Sequence, residues 1–305
     1  MSALFAPRNR DAAALARTLG RLAPSGLPLL LEGETGVGKS FVAARIHRAG
    51  RRGRPLVVAD CGAVPATLVA SALFGHRAGA FTDATRPHTG LLEKASDGTL
   101  VLDRVDALPP EGQTALLRVL EERVFFPVGT ATPRRFGARV VALAGSGLAR
   151  RVESGEFRPD LFHRLAGLHA ELPPLRRRPE DIVPFAGAFL RRRSRRGSAR
   201  VVLEEEAVDL LLAYPWPGNF RELEGVLARV LLQIDGPSVR AADLALPAGA
   251  WPQVAELAAA RARPLAEVER LYALWVLGLA GGNVSRAART LGVSRRTLIR
   301  WRRER

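Results

Sequence analysis

Apolar positions along the chain fall into two rhythms. Short continuous runs at 29–31, 56–60, 99–103 and 139–144 predict strands covered on both faces. Pro28 stands at the entry of the first, where a proline is tolerated. Between these runs, as at 11–23, after Lys39 and at 111–122, apolar residues recur with helical spacing. Strands alternating with helices predict an α/β fold, a parallel sheet with helices on both faces. After about residue 175 the strand pattern stops at the Pro- and Arg-rich "PPLRRRPEDI". Helices are expected at 180–195, 204–213 and 219–233. Residues 245–264, rich in Ala, Pro and Gly, read as a linker before a last helical segment at 265–305. The expected organisation is an α/β subdomain over 1–175, a helical subdomain over 176–246, a linker over 247–264 and an all-α domain over 265–305. There are no internal repeats.

The first strand runs into "GETGVGKS", a G-x-x-x-x-G-K-S pattern formed by Gly33, Glu34, Thr35, Gly36, Val37, Gly38, Lys39 and Ser40. Glycines let backbone N–H groups curl around phosphates, and the helix that follows adds the positive end of its dipole. Lys39 is placed to reach the β- and γ-phosphates and Ser40 to ligate Mg²⁺, so ATP with Mg²⁺ is the expected ligand. Such a loop needs a second acid at the end of a neighbouring strand, and Asp103 closes the run "LVLD".

Composition narrows the class of protein. The 305 residues suggest roughly two domains, and a hydrophobic content of 47% is enough for a sizeable core. No stretch of 18 uncharged apolar residues occurs, and the first residues lack a signal-peptide pattern, so no membrane partner is expected. A single cysteine, Cys61, fits a reducing cytoplasm. The net charge of +16 points to a polyanionic partner. Because only Lys39 and Lys94 are lysines, composition bias explains part of that charge and a surviving Lys39 gains weight. The run "RRRSRRGSAR" at 191–200 reads as the solvated end of a helix and a loop.

The C-terminal segment "GGNVSRAARTLGVSRRTLIRWRRER" carries a helix-turn-helix pattern. Asn283 or Ser285 caps the first helix, whose apolar face is Ala287, Ala288 and Leu291. Gly292 makes the turn, Ser294 caps the second helix, and Leu298 points inward. Eight arginines against one glutamate at 283–305 suit double-stranded DNA. Arg295, Arg296 and Thr297 are the base-reading candidates, while Arg300, Arg302 and Arg303 suit phosphate. In the preceding helix the stripe Leu265, Val268, Leu271, Trp275 and Leu279 suits either dimer packing or an ordinary core-facing helix.

Taken together, "FGHRAGAFTDATRPHTGLLEKASDGTLVLDRVDAL" (74–108), "ESGEFRPDLFHRLAGLHAELPPLRRRPEDI" (153–182), "YPWPGNFRELEGVL" (214–227) and the C-terminal segment resemble the bacterial enhancer-binding proteins, AAA+ activators of sigma-54 RNA polymerase with a Fis-like helix-turn-helix. The resemblance implies an AAA+ P-loop sheet with a helical lid, a ring of six subunits built on DNA-bound dimers, and work on closed polymerase complexes. It implies that Phe81 and Thr82, in a mobile "GAFTDA" arm freed by Gly79, touch sigma-54; Asp83 departs from the family's glycine there. By the same resemblance Arg158 and Arg164 reach into the neighbouring subunit's nucleotide. Arg221, aimed by the turn Pro217, Gly218, Asn219, senses the γ-phosphate.

Three positions of the family's hydrolytic apparatus differ together. Arg104 replaces the glutamate that polarises water, Gly145 stands where the sensor asparagine is expected, and Asp60 replaces the asparagine that holds that glutamate. If strands 56–60 and 99–103 are neighbours, Asp60 and Arg104 form a bidentate ion pair in place of the switch. The expected function is a sigma-54-dependent activator. The alternative is a hydrolysis-deficient, nucleotide-gated DNA-binding regulator, or an inactive partner in mixed rings. The P-loop begins about 30 residues into the chain, so a receiver or ligand-sensing domain is not expected ahead of it.

Overall fold

The computed structural model describes residues 7–63, 65–81, 84–193, 201–234, 236–246, 254–255 and 262–303, with the backbone alone for Ala66, Arg302 and Arg303. The chain divides into two compact units, residues 14–173 and residues 174–305 joined by the first 13.

The elements run α1 (Arg10–Leu22), which starts just ahead of the first unit and continues into it, then β1 (Leu29–Glu32), α2 (Lys39–Gly50), β2 (Leu56–Asp60), α3 (Val69–Phe74), β3 (Gly75–His76), β4 (His88–Thr89), α4 (Leu91–Ala95) and β5 (Thr99–Asp103). There follow α5 (Pro110–Glu122), β6 (Val124–Phe125), β7 (Arg134–Arg135), β8 (Arg139–Ala144), α6 (Leu148–Glu153), α7 (Pro159–Leu165) and β9 (Leu168–Glu171). The main sheet is parallel, in the order β2-β5-β8-β1-β9. Continuous apolar runs become the central strands because both faces are covered. Period-two alternation divides them: Leu100, Leu102, Val140 and Ala142 face the core with α3, α5 and α7, while Val101, Val141, Leu29 and Leu31 face the core with α1 and α2.

Strand β9 lies outside the predicted strands. Its four residues "LHAE" bury only Ala170 fully, too little alternation to stand out, yet all four pair with β1. Arg139, first residue of β8, is only 2% exposed. Its guanidinium donates to the carbonyls of Leu22, Ala23 and Leu27, at and just past the C-terminal end of α1, which offsets the burial of a cation.

The second unit holds α8 (Ile182–Arg193), β10 (Val202–Leu203), α9 (Glu205–Ala213), α10 (Asn219–Gln233), β11 (Ser238–Val239), α11 (Leu265–Leu279), α12 (Val284–Leu291) and α13 (Arg295–Arg303). Arg191, Arg192 and Arg193 are exposed at the end of α8; the rest of that arginine run lies outside the described residues. Val254, inside the expected linker, is fully buried in the helical core. So the segment is not purely a tether.

Helix α11 corrects the expected stripe. Only Leu271 and Trp275 of that stripe are buried, while Leu265 and Leu279 are exposed. Leu271, Leu274 and Trp275 enter the core with α8, α9 and α10, and Ala273, Val276 and Leu277 enter the core of α12 and α13. A single-stripe pattern cannot show a helix sandwiched on two sides. The Trp275 ring stacks on Tyr214, and Arg270 pairs with Asp209 of α9 while donating to the Trp301 carbonyl.

The turns of the last segment follow their residue chemistry. Asn283 Oδ1 accepts the Arg286 N–H at 3.0 Å, Gly292 takes a left-handed φ of 66°, and Ser294 Oγ accepts the Thr297 N–H at 3.0 Å. Asn283, not Ser285, is the cap. Asn283→Ala is expected to cost about 1 kcal/mol, read as a lower thermal midpoint of the helical unit.

Candidate functional site

The C-terminal ends of β1, β8, β5 and β2 lie side by side, and the glycine loop, Asp60, Asp103 and Arg104 lie at or directly after them, while Arg158, Arg164 and Phe81 lie elsewhere in the unit. Ligands of open α/β sheets bind in this crevice. From β1 the chain enters the glycine loop, where Gly33, Gly36 and Gly38 have φ of 147°, 80° and 101°. A Cβ on Gly33 would stand 2.8 Å from the Leu172 carbonyl oxygen, so the loop needs a glycine there for space as well as for φ. Lys39 opens α2, and its ammonium donates to the carbonyls of Gly33 at 2.6 Å and Glu34 at 3.0 Å. The lysine is thereby curled back over its own loop. Ser40 is exposed on the first turn, and Thr35 is exposed in the loop.

Below the loop sits a brace that sequence reasoning did not single out. Glu32 is 6% exposed. One of its oxygens accepts the Leu148 N–H at 2.9 Å, and the other meets His169 Nε2 at 2.6 Å. It ties the end of β1 to β9 and to the start of α6. The sequence signal was a glutamate ending the apolar run "LLLE", just before Gly33.

Asp60 and Asp103 are register partners on β2 and β5, so residue 104 emerges beside Asp60. Arg104 has a left-handed backbone, φ 54° and ψ 49°. Its Nε and Nη2 donate to Asp60 at 2.9 and 2.6 Å. Both bonds converge on Oδ1, which also accepts the Gly62 N–H at 3.1 Å. The pair is therefore a two-donor clasp on one oxygen rather than the parallel fork expected. Gly62 makes room for it, since a Cβ there would stand 2.6 Å from the Arg104 Cζ. With side chains 55% and 47% exposed, the pair adds at most about 1 kcal/mol of stability. Its consequence is positional: the guanidinium is held against Asp60 and Gly62, to the side of the β2 end of the sheet.

Beneath lies Cys61, whose thiol is pushed up to about 12 by burial and then by Asp60, Asp103 and Asp106. It stays a neutral thiol at neutral pH. Asp106 leans over the end of β8, with Oδ2 3.4 Å from where a Cβ on Gly145 would stand.

Arg158 N-caps α7 and forms a fork with Asp160, Nε to Oδ1 at 3.0 Å and Nη2 to Oδ2 at 2.7 Å. That hydrogen bonding holds the Asp160 carboxyl below its ordinary range. Arg164 donates to the Leu120 carbonyl near the end of α5. Arg221 belongs to the second unit, exposed on the first turn of α10. The start of that helix is clamped by Glu222, which accepts the Gly218 N–H at 2.8 Å and the Tyr214 hydroxyl at 2.7 Å.

The Phe81 loop is more closed than a free arm. Gly79 N–H donates to Ala84 O at 2.7 Å, and Ala84 N–H to Phe81 O at 2.9 Å. The Phe81 ring meets His76 edge-on at 4.9 Å and is 39% exposed. Thr82 and Asp83 lie outside the described residues. Val128, in the loop between β6 and β7, bridges to His76 and bonds Gly75 and Arg77. Local sequence did not reveal this partner, 52 residues on.

In the last helix Arg295, Arg296 and Arg300 are exposed. Thr297 is half-buried, and its hydroxyl is engaged with Ser294 Oγ at 2.8 Å. This makes it a capping residue first.

Three family descriptions tile the chain: "Sigma-54 interaction domain" over residues 6–171, "AAA+ ATPase lid domain" over 176–253 and "Bacterial regulatory protein, Fis family" over 264–304. Among curated relatives, the transcriptional regulatory protein ZraR of Klebsiella oxytoca is 39% identical over 289 residues, 94% of this chain and 65% of that protein. The nitric oxide reductase transcription regulator NorR1 of Cupriavidus necator is 45% identical over 228 residues, 74% of this chain and 44% of that protein. The chain thus spans less than two thirds of the length of either. Among solved structures, NtrX from Brucella abortus in complex with ADP superposes with a TM-score of 0.74 at 29% identity, covering 97% of this chain and 68% of that one. The glycine loop, the parallel sheet and the three consecutive matches lead to one assignment: the chain belongs to the sigma-54 interaction domain family, on an AAA+ fold followed by an AAA+ lid and a Fis-type helix-turn-helix region.

Proposed function

We propose that the chain is a sigma-54-dependent transcriptional regulator that binds ATP with Mg²⁺ and assembles as a ring. The observation that carries this is the glycine loop with Lys39 between β1 and α2, on the same sheet edge as Asp103 at the end of β5, one strand away across β8. Gly33 to Gly38 would cradle the phosphates, Lys39 would exchange its loop carbonyls for phosphate oxygens, and Ser40 and Asp103 would hold Mg²⁺. When bound, the ion neutralises charge on the β- and γ-phosphates.

Arg158 and Arg164 serve a neighbouring subunit's nucleotide, and Asp160 keeps the Arg158 fork pointed outward until that nucleotide competes for it. Arg221 on the lid is the sensor of the γ-phosphate. Phe81 and Thr82 form the contact to sigma-54, and Arg295, Arg296 and Arg300 bind DNA, with Thr297 supporting the helix that carries them. The exposed stripe Leu265, Tyr272 and Leu279 leaves α11 a face for a second copy.

The Asp60–Arg104 clasp favours a second reading in one respect. Without a carboxylate at 104, hydrolysis is slow, and the chain works mainly as a nucleotide-gated DNA-binding regulator or as a weak partner in mixed rings. The deciding experiment is capture of purified sigma-54 by the chain loaded with a non-hydrolysable ATP analogue. Phe81→Ala is expected to weaken capture about tenfold, as for a central aromatic contact. Equal capture by both proteins would remove Phe81 as the contact, and capture by neither would remove the sigma-54 assignment.

A further inference from the structure

The bare position at Gly145 and the carboxylate of Asp106 fit each other in space. Position 145 directly follows β8, which lies between β5 and β1, so it stands between the ends of those two strands, where Asp103 and the glycine loop begin. It carries no side chain. The carboxylate of Asp106 leans into that room, with Oδ2 3.4 Å from where a Cβ at 145 would stand. A longer side chain at 145 would compete for the same space.

The other oxygen, Oδ1, is buried and meets no hydrogen-bond partner among the described residues. Its neighbours do not quench it. Arg151 donates to the Asp106 backbone carbonyl at 2.7 Å, not to its carboxylate. Arg104, two residues earlier, is turned aside to Asp60. A buried carboxyl oxygen without a partner weakens a fold, so its retention at the mouth of a phosphate site asks for a use.

We propose that Asp106 is the water-orienting carboxylate of this chain, working from the space that Gly145 leaves open and replacing the acid that position 104 lacks. The proposal rests on the ATP-binding reading above. The water oxygen attacks the γ-phosphorus. The bond from that phosphorus to the β,γ-bridging oxygen breaks, its electron pair leaving with ADP, and the water proton passes to Asp106 and on to solvent. The chain is then a slow hydrolase rather than an inert one.

The test compares Asp106→Asn and Asp106→Ala with the unaltered chain in four readouts: ATP turnover, ADP affinity, affinity for ADP with aluminium fluoride, and thermal midpoint. Turnover is expected to fall at least tenfold, and affinity for the aluminium fluoride complex, which mimics the phosphoryl group in transfer, to fall with it. ADP affinity stays the same. The thermal midpoint of Asp106→Ala holds or rises, because an unpartnered buried oxygen is removed. A purely structural Asp106 would instead give a lower midpoint and weaker ADP binding together.

Unchanged turnover and unchanged aluminium fluoride affinity in both variants overturn the proposal. So does an unaltered chain that binds ADP but shows no turnover at all. Absence of any nucleotide binding sinks the ATP-binding reading itself, which the ADP titration reports separately.

Discussion

The double variant Asp60→Asn with Arg104→Glu is expected to raise ATP turnover by about a hundredfold. A positioned carboxylate that orients water lowers the barrier by about 3 kcal/mol, which converts to that factor. The backbone is ready for it: residue 104 already takes its left-handed conformation at the end of β5, so a glutamate meets no strain that Arg104 does not bear. The double change matters because a glutamate introduced at position 104 alone would face Asp60, its neighbour across the β2–β5 register. Like charges at that distance turn the new carboxylate away from the phosphates. Arg104→Glu by itself is therefore expected to gain less than the pair, and steady-state turnover on the assembled protein separates the two. A double variant no faster than the unaltered chain would show that the clasp is not what limits hydrolysis.

Lys39→Ala is expected to weaken adenine nucleotide binding by a hundredfold or more. A charge-assisted bond to phosphate contributes about 3 kcal/mol in a partly buried site. In the structure the ammonium bridges loop carbonyls at Gly33 and Glu34, a local tie whose loss leaves the fold nearly as stable. Thermal shift reads both effects at once. With ADP at a hundred times the unaltered chain's Kd, that chain gains about 2.7 kcal/mol, while the variant at the same concentration gains about 0.4 kcal/mol. Equal gains would remove Lys39 from the site and the ATP-binding reading with it.

Features that depend on one stretch of chain were legible from its residues. The apolar runs at 99–103 and 139–144 became β5 and β8 with the expected bounds, because a strand covered on both faces cannot hide its composition; the run at 56–60 became β2 with the expected bounds too, but at the sheet edge, where Leu56 and Val58 stay exposed instead of covered. The glycine loop was equally legible, since left-handed φ and a close carbonyl leave no other residue for Gly33. Caps at Asn283 and Ser294 were readable because a cap is satisfied within three residues.

Features that depend on residues distant in sequence came only with the folded chain. Strand β9 is a strand only because β1 offers its edge. Helix α11 is sandwiched between two cores, where one stripe was expected. The Asp60–Arg104 clasp joins two strand ends into three hydrogen bonds on one oxygen, and the geometry was set by the register and by the bare Gly62. Asp106 gained its place from what is missing at 145, a residue 39 positions away. Local rules act through the backbone's own hydrogen bonds and side-chain period. Contacts between distant residues depend on how the sheet is ordered, and no local window of the chain records that order.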